Sequence, residues 1–315
     1  MTSPSAGRLK SFRFGLLLDS REASPATVRE LAQRAEQSGF ATILGTDHVG
    51  RWATPFMLLA AADATSTLRI GTFVLNNDLR NPVLLAQELA TIDLLTDGRL
   101  EVGLGAGWMA TDYEGTGIPL DPPGTRLQRL VSTISLLKQA FAEGRVDRPA
   151  SDVYPAARVA SMPKTLQRPH PPLLLGGGGG RLLALAAREA NIISLNPRST
   201  PAGRLNIADA DAQAVDQKIA TVRQAAGDRW ADLELNANLL AVNPDPNRPH
   251  GPAAQFLAEM TPDALRASPH FLFGDTSAME TQLQERRARW GLSYIVVRQA
   301  DFDALVPLAS ALAGR

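Results

Sequence analysis

Short apolar segments alternate with longer amphipathic segments along most of the chain, and this alternation restricts the possible folds more than any other feature. Each of eight apolar segments is followed by a segment with helical patterning. Their richness in Val, Ile and Leu, with little polar alternation, is typical of parallel strands covered on both faces. Eight such units in 315 residues predict an α/β protein with a (β/α)8 TIM barrel. The predicted strands are residues 12–18, 41–45, 68–75, 99–105, 171–176, 191–195, 232–242 and 292–298.

The predicted helices follow the strands in order, and capping residues mark the ends of the first. Ser24 is a suitable N-cap, Pro25 suits the first helical position and Gly39 suits the end. The predicted helices are residues 24–39, 55–65, 81–98, 125–143, 181–189, 207–226, 277–290 and 301–313.

Two proline-rich insertions interrupt the alternation. Gly144–His170 precedes strand 5, and Asn243–Pro269 follows strand 7. No linker divides the chain, so we predict a single barrel domain over residues 1–315.

The balanced charge and the absence of cysteine exclude several classes of function. A formal net charge of zero argues against a nucleic-acid partner. Without cysteine there is no disulfide, thiolate metal site or cysteine nucleophile, and four histidines make a multi-histidine metal site improbable. The sequence has neither a signal-peptide core near the N terminus nor a run of about 18 apolar residues. We therefore expect a cytoplasmic protein with a small-molecule substrate and no membrane partner.

Polar and aromatic residues are concentrated just after the predicted strands, where a TIM barrel carries its active site. Histidine can hydrogen-bond a cofactor ring or transfer a proton near neutral pH, although a lone histidine is often only structural. The residues in question are Asp47, His48, Arg51 and Trp52 after strand 2, Asn76, Asn77, Asp78 and Arg80 after strand 3, Gly105, Gly107, Trp108, Asp112 and Tyr113 after strand 4, and Ser194 and Asn196 after strand 6.

Two of these positions allow more than one interpretation. Trp108 is expected to form a wall of the pocket, with core packing as the alternative. Asp112 and Glu114 are candidate acids, or else members of a solvated loop.

Five consecutive glycines, Gly176 to Gly180, separate strand 5 from the next helix. Glycine can take a positive φ and lets the backbone approach a ligand closely, and a helix N terminus attracts anions. Arg181 follows directly and can add a charged contact. The pattern predicts a phosphate-binding turn, and a flexible turn without a ligand is the alternative.

Taken together and in order, these segments resemble the luciferase-like monooxygenase superfamily, within it the branch of oxidoreductases that depend on the deazaflavin coenzyme F420. The matching segments are GFATILGTDHVG, LRIGTFVLNNDLRNPVLLAQELATIDLLTDGRLEVGLGAGW, QRPHPPLLLGGGGGRLLALAAREANII and ERRARWGLSYIVV. The resemblance implies hydride transfer between F420 and a small organic substrate in a protein that is often a homodimer. Because FMN-dependent members share these segments, FMN is the alternative cofactor.

The positions after the strands and the resemblance together suggest roles for individual residues. His48, Trp108 and Asp112 are the expected catalytic residues, and the resemblance places Asp47 and His48 against the cofactor ring. The Phe73–Val74 bond would match a non-proline cis peptide that supports the cofactor ring in relatives. The residues expected to bind the cofactor are Asp47, His48, Phe73, Val74, Asn76, Ala106, Gly107, Gly177, Gly178, Gly179, Gly180, Arg181 and Ser194.

The sequence departs from its relatives at two positions. Trp108 stands where related sugar-phosphate dehydrogenases carry a catalytic Glu, which argues against a sugar-6-phosphate substrate. Asn191 replaces a frequent Asp, and we interpret this as a local structural change. Two alternative functions stay open, a reduced-FMN-dependent monooxygenase and a catalytically silent flavin-binding relative.

Overall fold

Eight parallel strands close into a barrel, which confirms the predicted fold. The computed structural model describes residues 9–21, 23–200, 204–245, 251 and 253–315. Each strand pairs with the next along the chain, and the last pairs with the first. In chain order the strands are β1 (Arg13–Leu18), β2 (Thr42–Gly45), β3 (Arg69–Thr72), β4 (Leu100–Gly105), β5 (Leu173–Gly177), β6 (Ile192–Leu195), β7 (Glu234–Asn238) and β8 (Leu292–Arg298).

One helix follows each strand and covers the outside of the barrel. The first shows the predicted caps, because the Ser24 hydroxyl accepts a hydrogen bond from the Thr27 N–H and Gly39 has a positive φ. In the part of the chain that the structure describes, no helix is both long and apolar enough to span a membrane. The helices are α1 (Pro25–Gln37), α2 (Thr54–Asp63), α3 (Pro82–Leu95), α4 (Pro123–Glu143), α5 (Gly180–Glu189), α6 (Ala212–Ala226), α7 (Thr276–Trp290) and α8 (Phe302–Leu312).

Both insertions lie where the sequence predicted them. The insertion before β5 contains an antiparallel hairpin of Val146–Arg148 and Ala157–Val159. The insertion after β7 contains two short helices, Ala253–Glu259 and Pro262–Ala267. Residues 246–250 and 252 of this second insertion lie outside the described residues.

Two predicted strands are shorter than expected. The prediction for residues 68–75 is wrong at Phe73 and Val74, which are joined by a cis peptide bond and lie outside any strand. Pairing resumes at Leu75–Asn76, which pairs with β4. The prediction for residues 232–242 is wrong beyond Asn238. There the Leu240 N–H donates to the His270 carbonyl at 2.7 Å, and the chain leaves the barrel to form a second small sheet.

The helix predicted over residues 207–226 is also divided. Ile207–Ala210 is a single 3-10 turn, and α6 begins only at Ala212. Asp211 is extended, and its carboxylate accepts a hydrogen bond from the Ala214 N–H at 2.7 Å. Asp211 therefore caps a new helix instead of continuing the preceding turn.

Side chains fill the barrel interior and leave a polar rim only at its ends. The apolar interior cluster comprises Leu17, Leu44, Phe73, Leu174, Ile192, Tyr294 and Val296, with Val74 packed against it. At the N-terminal ends of the strands, Glu101 accepts from Arg13 at 2.5 Å and from Arg69 at 2.8 Å. The carboxyl ends of the strands form the opposite end of the barrel, called the mouth below.

His270, in the insertion after β7, gives the fold a testable dependence on pH. The ring is buried, and its Nδ1 lies 3.0 Å from the Asn238 carbonyl. Burial lowers the pKa of His270 to about 4 from the ordinary value of 6.5. The unfolded chain therefore binds a proton between these two pH values that the folded chain does not bind. The free energy of unfolding is therefore highest above about pH 6.5 and decreases as the pH is lowered towards 4.

We expect His270→Asn to flatten this decline, because the amide can still donate to the Asn238 carbonyl but does not titrate. The wild-type free energy of unfolding should fall by up to about 1.4 kcal/mol per pH unit more steeply than that of the variant. Urea denaturation from pH 7 to 4.5 measures both slopes. If the free energy of unfolding depends on pH equally in wild type and in the variant, His270 does not cause the loss of stability in acid.

Candidate active site at the barrel mouth

His48 and Asp112 form a hydrogen-bonded pair at the mouth, although they are 64 positions apart. His48 follows β2, and Asp112 lies on the short helix Ala110–Thr116 that follows β4. The His48 Nδ1 and the Asp112 Oδ2 are 2.9 Å apart, and the Asp112 Oδ1 accepts from the Val49 N–H at 3.1 Å. A carboxylate beside Nδ1 holds the proton of a neutral imidazole there. The His48 Nε2 is thereby left as the nitrogen free to accept a proton.

The burial of Asp112 and Trp108 decides two of the alternatives in the sequence. The Asp112 side chain is only 6% exposed, so it is not part of a solvated loop, whereas Glu114 is exposed. Trp108 is 36% exposed, and its ring meets the His48 ring edge-on with centroids 6.3 Å apart. Core packing is therefore wrong for Trp108, which lies beside His48 on the mouth.

Asp47 is fixed by groups of the protein itself. Its two oxygens accept from Arg80 at 2.5 and 2.9 Å, and one of them also accepts from the Asn76 N–H at 3.0 Å. Asp47 follows β2, and the other two residues follow β3. Asp47 and Arg80 therefore join these two loops. The Asn76 side chain accepts from the Asp78 N–H at 3.1 Å, so its amide oxygen is also engaged.

Val74 lies at the centre of the mouth. The Phe73–Val74 bond is cis, as the resemblance implied. A Cβ atom added to Gly105 would lie 2.7 Å from one Val74 methyl group, and one added to Gly176 would lie 3.4 Å from the other. The absence of side chains at the ends of β4 and β5 thus makes room for Val74. The valine side chain and the ends of these strands form an apolar floor.

A buried network supports Gly107 from below. Gly107 has a positive φ, and an added Cβ would overlap the Tyr113 hydroxyl and lie 2.5 Å from the Asn76 Oδ1. The Asp78 carboxylate lies 3.4 Å from the Tyr113 hydroxyl and 3.1 Å from a nitrogen of Arg129. Burial raises the pKa of Asp78, and Arg129 opposes that rise. Burial, and then the charge of Asp78, raises the pKa of Tyr113, which keeps the phenol neutral.

The glycine run connects β5 to α5, but the expected reason for it is partly wrong. None of Gly176 to Gly180 has a positive φ. Close approach explains Gly178, because an added Cβ would overlap the Asn196 carbonyl oxygen and lie 2.6 Å from the Arg198 nitrogen. At Gly179 and Gly180 an added Cβ would meet nothing within 4 Å among the described residues. These two glycines therefore border open space rather than the protein.

This open space lies at the N terminus of α5. Gly179 is the N-cap, and the first bond of the helix runs from the Leu183 N–H to the Gly179 carbonyl. The N–H groups of Gly180, Arg181 and Leu182 precede that bond and so have no partner within the helix. The Arg181 side chain is exposed beside them.

Ser194 and Asn191 are engaged inside the protein. The Ser194 hydroxyl is fully buried and donates to the Asn236 side chain at 2.6 Å, so in this structure it does not face the mouth. The Asn191 amide oxygen accepts from the Leu173 N–H at 3.0 Å. A carboxylate could accept the same bond, so the replacement of Asp is a local substitution at the opposite end of the strands.

The sequence analysis missed two arginines of the mouth. Arg126 of α4 donates to the carbonyl groups of Ala106 and Gly107 and thereby holds the backbone after β4. Arg298 is the last residue of β8. Alternate side chains of a strand share one face, so the sequence could have predicted that Arg298 lies on the same face as Tyr294 and Val296.

Comparison with known proteins identifies the family. The model of the luciferase-like monooxygenase family matches residues 8–227. The chain belongs to the luciferase-like monooxygenase family. Among curated family relatives, an FMNH2-dependent dimethylsulfone monooxygenase from Pseudomonas putida is 28% identical over 246 residues, which cover 75% of this chain and 64% of that protein. An F420-dependent glucose-6-phosphate dehydrogenase from Kineococcus radiotolerans is 30% identical over 143 residues, 42% of each chain.

Solved structures show the same barrel in an F420-dependent reductase and in a monooxygenase. The F420-dependent tetrahydromethanopterin reductase from Methanopyrus kandleri superposes with a TM-score of 0.77 at 16% identity, over 96% of this chain and 98% of that one. A long-chain alkane monooxygenase gives a TM-score of 0.72 at 12% identity, over 96% and 92%. At these identities the likeness establishes the fold alone. The match also spans only 42 to 64% of the length of the first curated relatives.

Proposed function

We propose that this member of the luciferase-like family is an oxidoreductase that uses coenzyme F420 to transfer a hydride to or from a small organic substrate. One observation carries the proposal. The His48–Asp112 pair, the Val74 floor and the open glycine turn at α5 occupy consecutive strand ends, from β2 to β5. A flat redox cofactor with a phosphate needs a floor, a proton-handling group and an anion cradle arranged along its length.

The residues present fit such a group at both ends. At Gly179 and Gly180 no protein group fills the open space at the N terminus of α5, so a phosphate can approach the unpaired N–H groups there. At the other end, Val74, Ala106 and Gly107 present an apolar and backbone surface that suits one face of a flat ring. A bound deazaflavin would supply a two-electron hydride at this surface.

His48 is the proposed proton-handling residue. Asp112 keeps the proton of the neutral ring on Nδ1, so Nε2 can accept a proton from an alcohol as its hydride leaves, or return one when a carbonyl is reduced. Trp108 meets the His48 ring edge-on and forms a wall beside it. Asp112 is a positioning residue here, because its carboxylate contacts the His48 Nδ1 and the Val49 N–H.

The charges of the rim favour F420 over FMN. The tail of F420 carries several carboxylates, whereas FMN ends at its phosphate. Arg181 is exposed beside the glycine turn, and Arg51 lies on the loop after β2. Two other cations are already paired, Arg80 with Asp47 at 2.9 Å and Arg198 with Asp209 at 3.0 Å. Arg181 and Arg51 can attract an anionic tail.

The runner-up is a reduced-FMN-dependent monooxygenase. The dimethylsulfone monooxygenase favours it, because that match covers more of this chain than the match to the glucose-6-phosphate dehydrogenase. Titration of the purified protein with F420 and FMN, oxidised and reduced, separates the two by fluorescence quenching. We expect tight F420 binding and weak FMN binding. The reverse preference would make the protein a monooxygenase, and binding of neither would overturn both functions.

The phosphate cradle is tested by Gly180→Asp. An aspartate in the first turn of α5 suits the helix dipole, so the melting temperature should not fall. Its charge would repel the cofactor phosphate, and we expect F420 to bind at least about 30-fold more weakly, in keeping with the loss of a charge-assisted contact. Gly180→Asn is the neutral control of similar size. A phosphate-free deazaflavin should bind all three proteins alike, and equal F420 affinities would exclude the cradle.

A further inference from the structure

Arg298 lies at the top of the barrel interior. Tyr294 and Val296 of β8 belong to the interior cluster, whereas Ile295 and Val297 pack outward against the helices. Because side chains alternate along a strand, Arg298 continues the interior row. It is the last residue of β8, so its guanidinium lies at the carboxyl end of the strands, between the apolar interior and the open mouth.

No hydrogen bond or salt bridge joins the Arg298 guanidinium to any other residue that the structure describes. Its Nε is fully buried without a hydrogen-bond partner. The nearby carboxylate of Asp19 is instead paired with Arg21 at 2.6 Å. Burial lowers the pKa of Arg298, and the charges of Asp19 and Asp301 oppose that effect. Arg298 is partly buried, and a cation without a partner in such a place is costly in a folded protein. Groups perturbed in this way cluster at functional sites.

The strand order places Arg298 on the side of the mouth away from the proposed cofactor cradle. Around the barrel, β8 is neighbour to β1 and β7, whereas the glycine turn follows β5 and the Val74 side chain packs against the ends of β4 and β5. The cofactor phosphate held by α5 therefore lies across the barrel from Arg298. The ligand nearest Arg298 would be the molecule that faces the ring from the β8 and β1 side, which is the substrate.

We propose that Arg298 binds an oxyanion of the substrate, a carboxylate or sulfonate, and so makes this site selective for small organic acids. The planar guanidinium offers parallel N–H donors that match the two oxygens of such a group. Arg51 lies close enough to Arg298 to lower its pKa, and its charge adds to the positive potential on the β8 and β1 side of the mouth. The inference rests on the proposed function for its reaction, but the anion site can be tested without the cofactor.

The test compares wild type, Arg298→Gln, Arg298→Lys and the control Arg158→Gln. Arg158 is 81% exposed on the insertion hairpin. Isothermal titration calorimetry and thermal shift are run with benzoate, acetate and methanesulfonate, with benzamide as the neutral analogue of benzoate. We expect wild type and the control to bind at least one of the anions, and to bind benzoate at least about tenfold more tightly than benzamide, as for a charge-assisted pair. Arg298→Gln should abolish the preference, and Arg298→Lys should retain part of it.

A second readout separates recognition from a structural role. Without an anion, Arg298→Gln should melt at or above the wild-type temperature, because a buried unpaired charge is removed. The anions should raise the melting temperature of wild type only. A lower melting temperature for the ligand-free variant, or no anion binding by wild type, would overturn the proposal.

Binding of F420 to the same proteins distinguishes the two anion sources. We expect Arg298→Gln to bind F420 as wild type does. A loss of F420 affinity in this variant would assign Arg298 to the cofactor and overturn a substrate role. If wild type binds benzoate selectively but no F420, the proposed cofactor fails while the anion site stands.

Discussion

Asp112→Asn should slow hydride transfer by about 100-fold or more, as expected for the loss of a positioned proton-transfer group, while F420 affinity stays near that of wild type. In the wild type one Asp112 oxygen accepts from His48 and the other from the Val49 N–H. An amide has only one acceptor oxygen. If that oxygen faces Val49, the NH2 group faces the His48 Nδ1 and moves the ring proton to Nε2. If the amide oxygen instead faces His48, the NH2 group faces the Val49 N–H, and two donors then face each other without an acceptor.

Single-turnover stopped-flow measurement of F420 absorbance, with the best alcohol or carbonyl acceptor from a screen, gives the rate. Glu114→Gln is the matched control, because Glu114 is an exposed acid of the same short helix. The rate should fall in Asp112→Asn and stay near that of wild type in the control. An unchanged rate would remove His48 from proton transfer. A parallel loss of F420 binding would reduce Asp112 to a structural role.

Gly103→Ala should lower the free energy of unfolding by about 4 kcal/mol or more, a size reserved for severe clashes in a core. Gly103 lies within β4, and an added Cβ would overlap the Thr72 carbonyl oxygen and lie 2.9 Å from its carbon. The Thr72 hydroxyl is hydrogen-bonded to the Gly103 backbone at 2.8 Å in both directions, so the two strands cannot separate without losing these bonds. A backbone carbonyl, unlike the end of a long side chain, cannot turn aside.

Urea denaturation measures the effect, and Gly179→Ala is the control. At Gly179 the φ is −77° and an added Cβ meets nothing, so alanine should change stability by no more than about 1 kcal/mol. If Gly103→Ala unfolds at the wild-type urea concentration, β3 and β4 are not packed as closely as the structure has them.

Local patterns predicted the elements well because each depends on neighbouring residues. The apolar run ending at Arg298 and the Ser24 cap are properties of a few consecutive positions, and both elements formed as predicted. The errors occurred where a distant group competed. The His270 carbonyl draws the chain out of the barrel after Asn238, and the Asp211 carboxylate caps a new helix within an otherwise helical pattern.

The sequence predicted which residues belong to the candidate site, but not which of them contact each other. The sequence named His48 and Asp112 separately, and only the closed barrel joins them. Likewise Asp47 was expected to bind the cofactor and Arg80 was named separately, yet the two residues pair with each other. Contacts between loops depend on which strand ends become neighbours, and a single sequence does not give the distances between residues of different loops. Arg298 did not stand out in the sequence, because it ends an apolar strand as its single charged residue.

The hydrogen bonds between the loops after β2, β3 and β4 divide the mouth into two halves with different freedom to evolve. Asp47 ties the first loop to the second, and His48 ties the first to the third. A change in any one of these loops therefore disturbs the other two. At the ends of β8 and β1 the Asp19 N–H donates to the Gln299 side chain at 2.9 Å, but the Arg298 side chain takes no part in that bond. An exchange at Arg298 therefore disturbs fewer contacts. New ligand preferences should thus arise from exchanges at Arg298, and directed evolution of this protein should begin there.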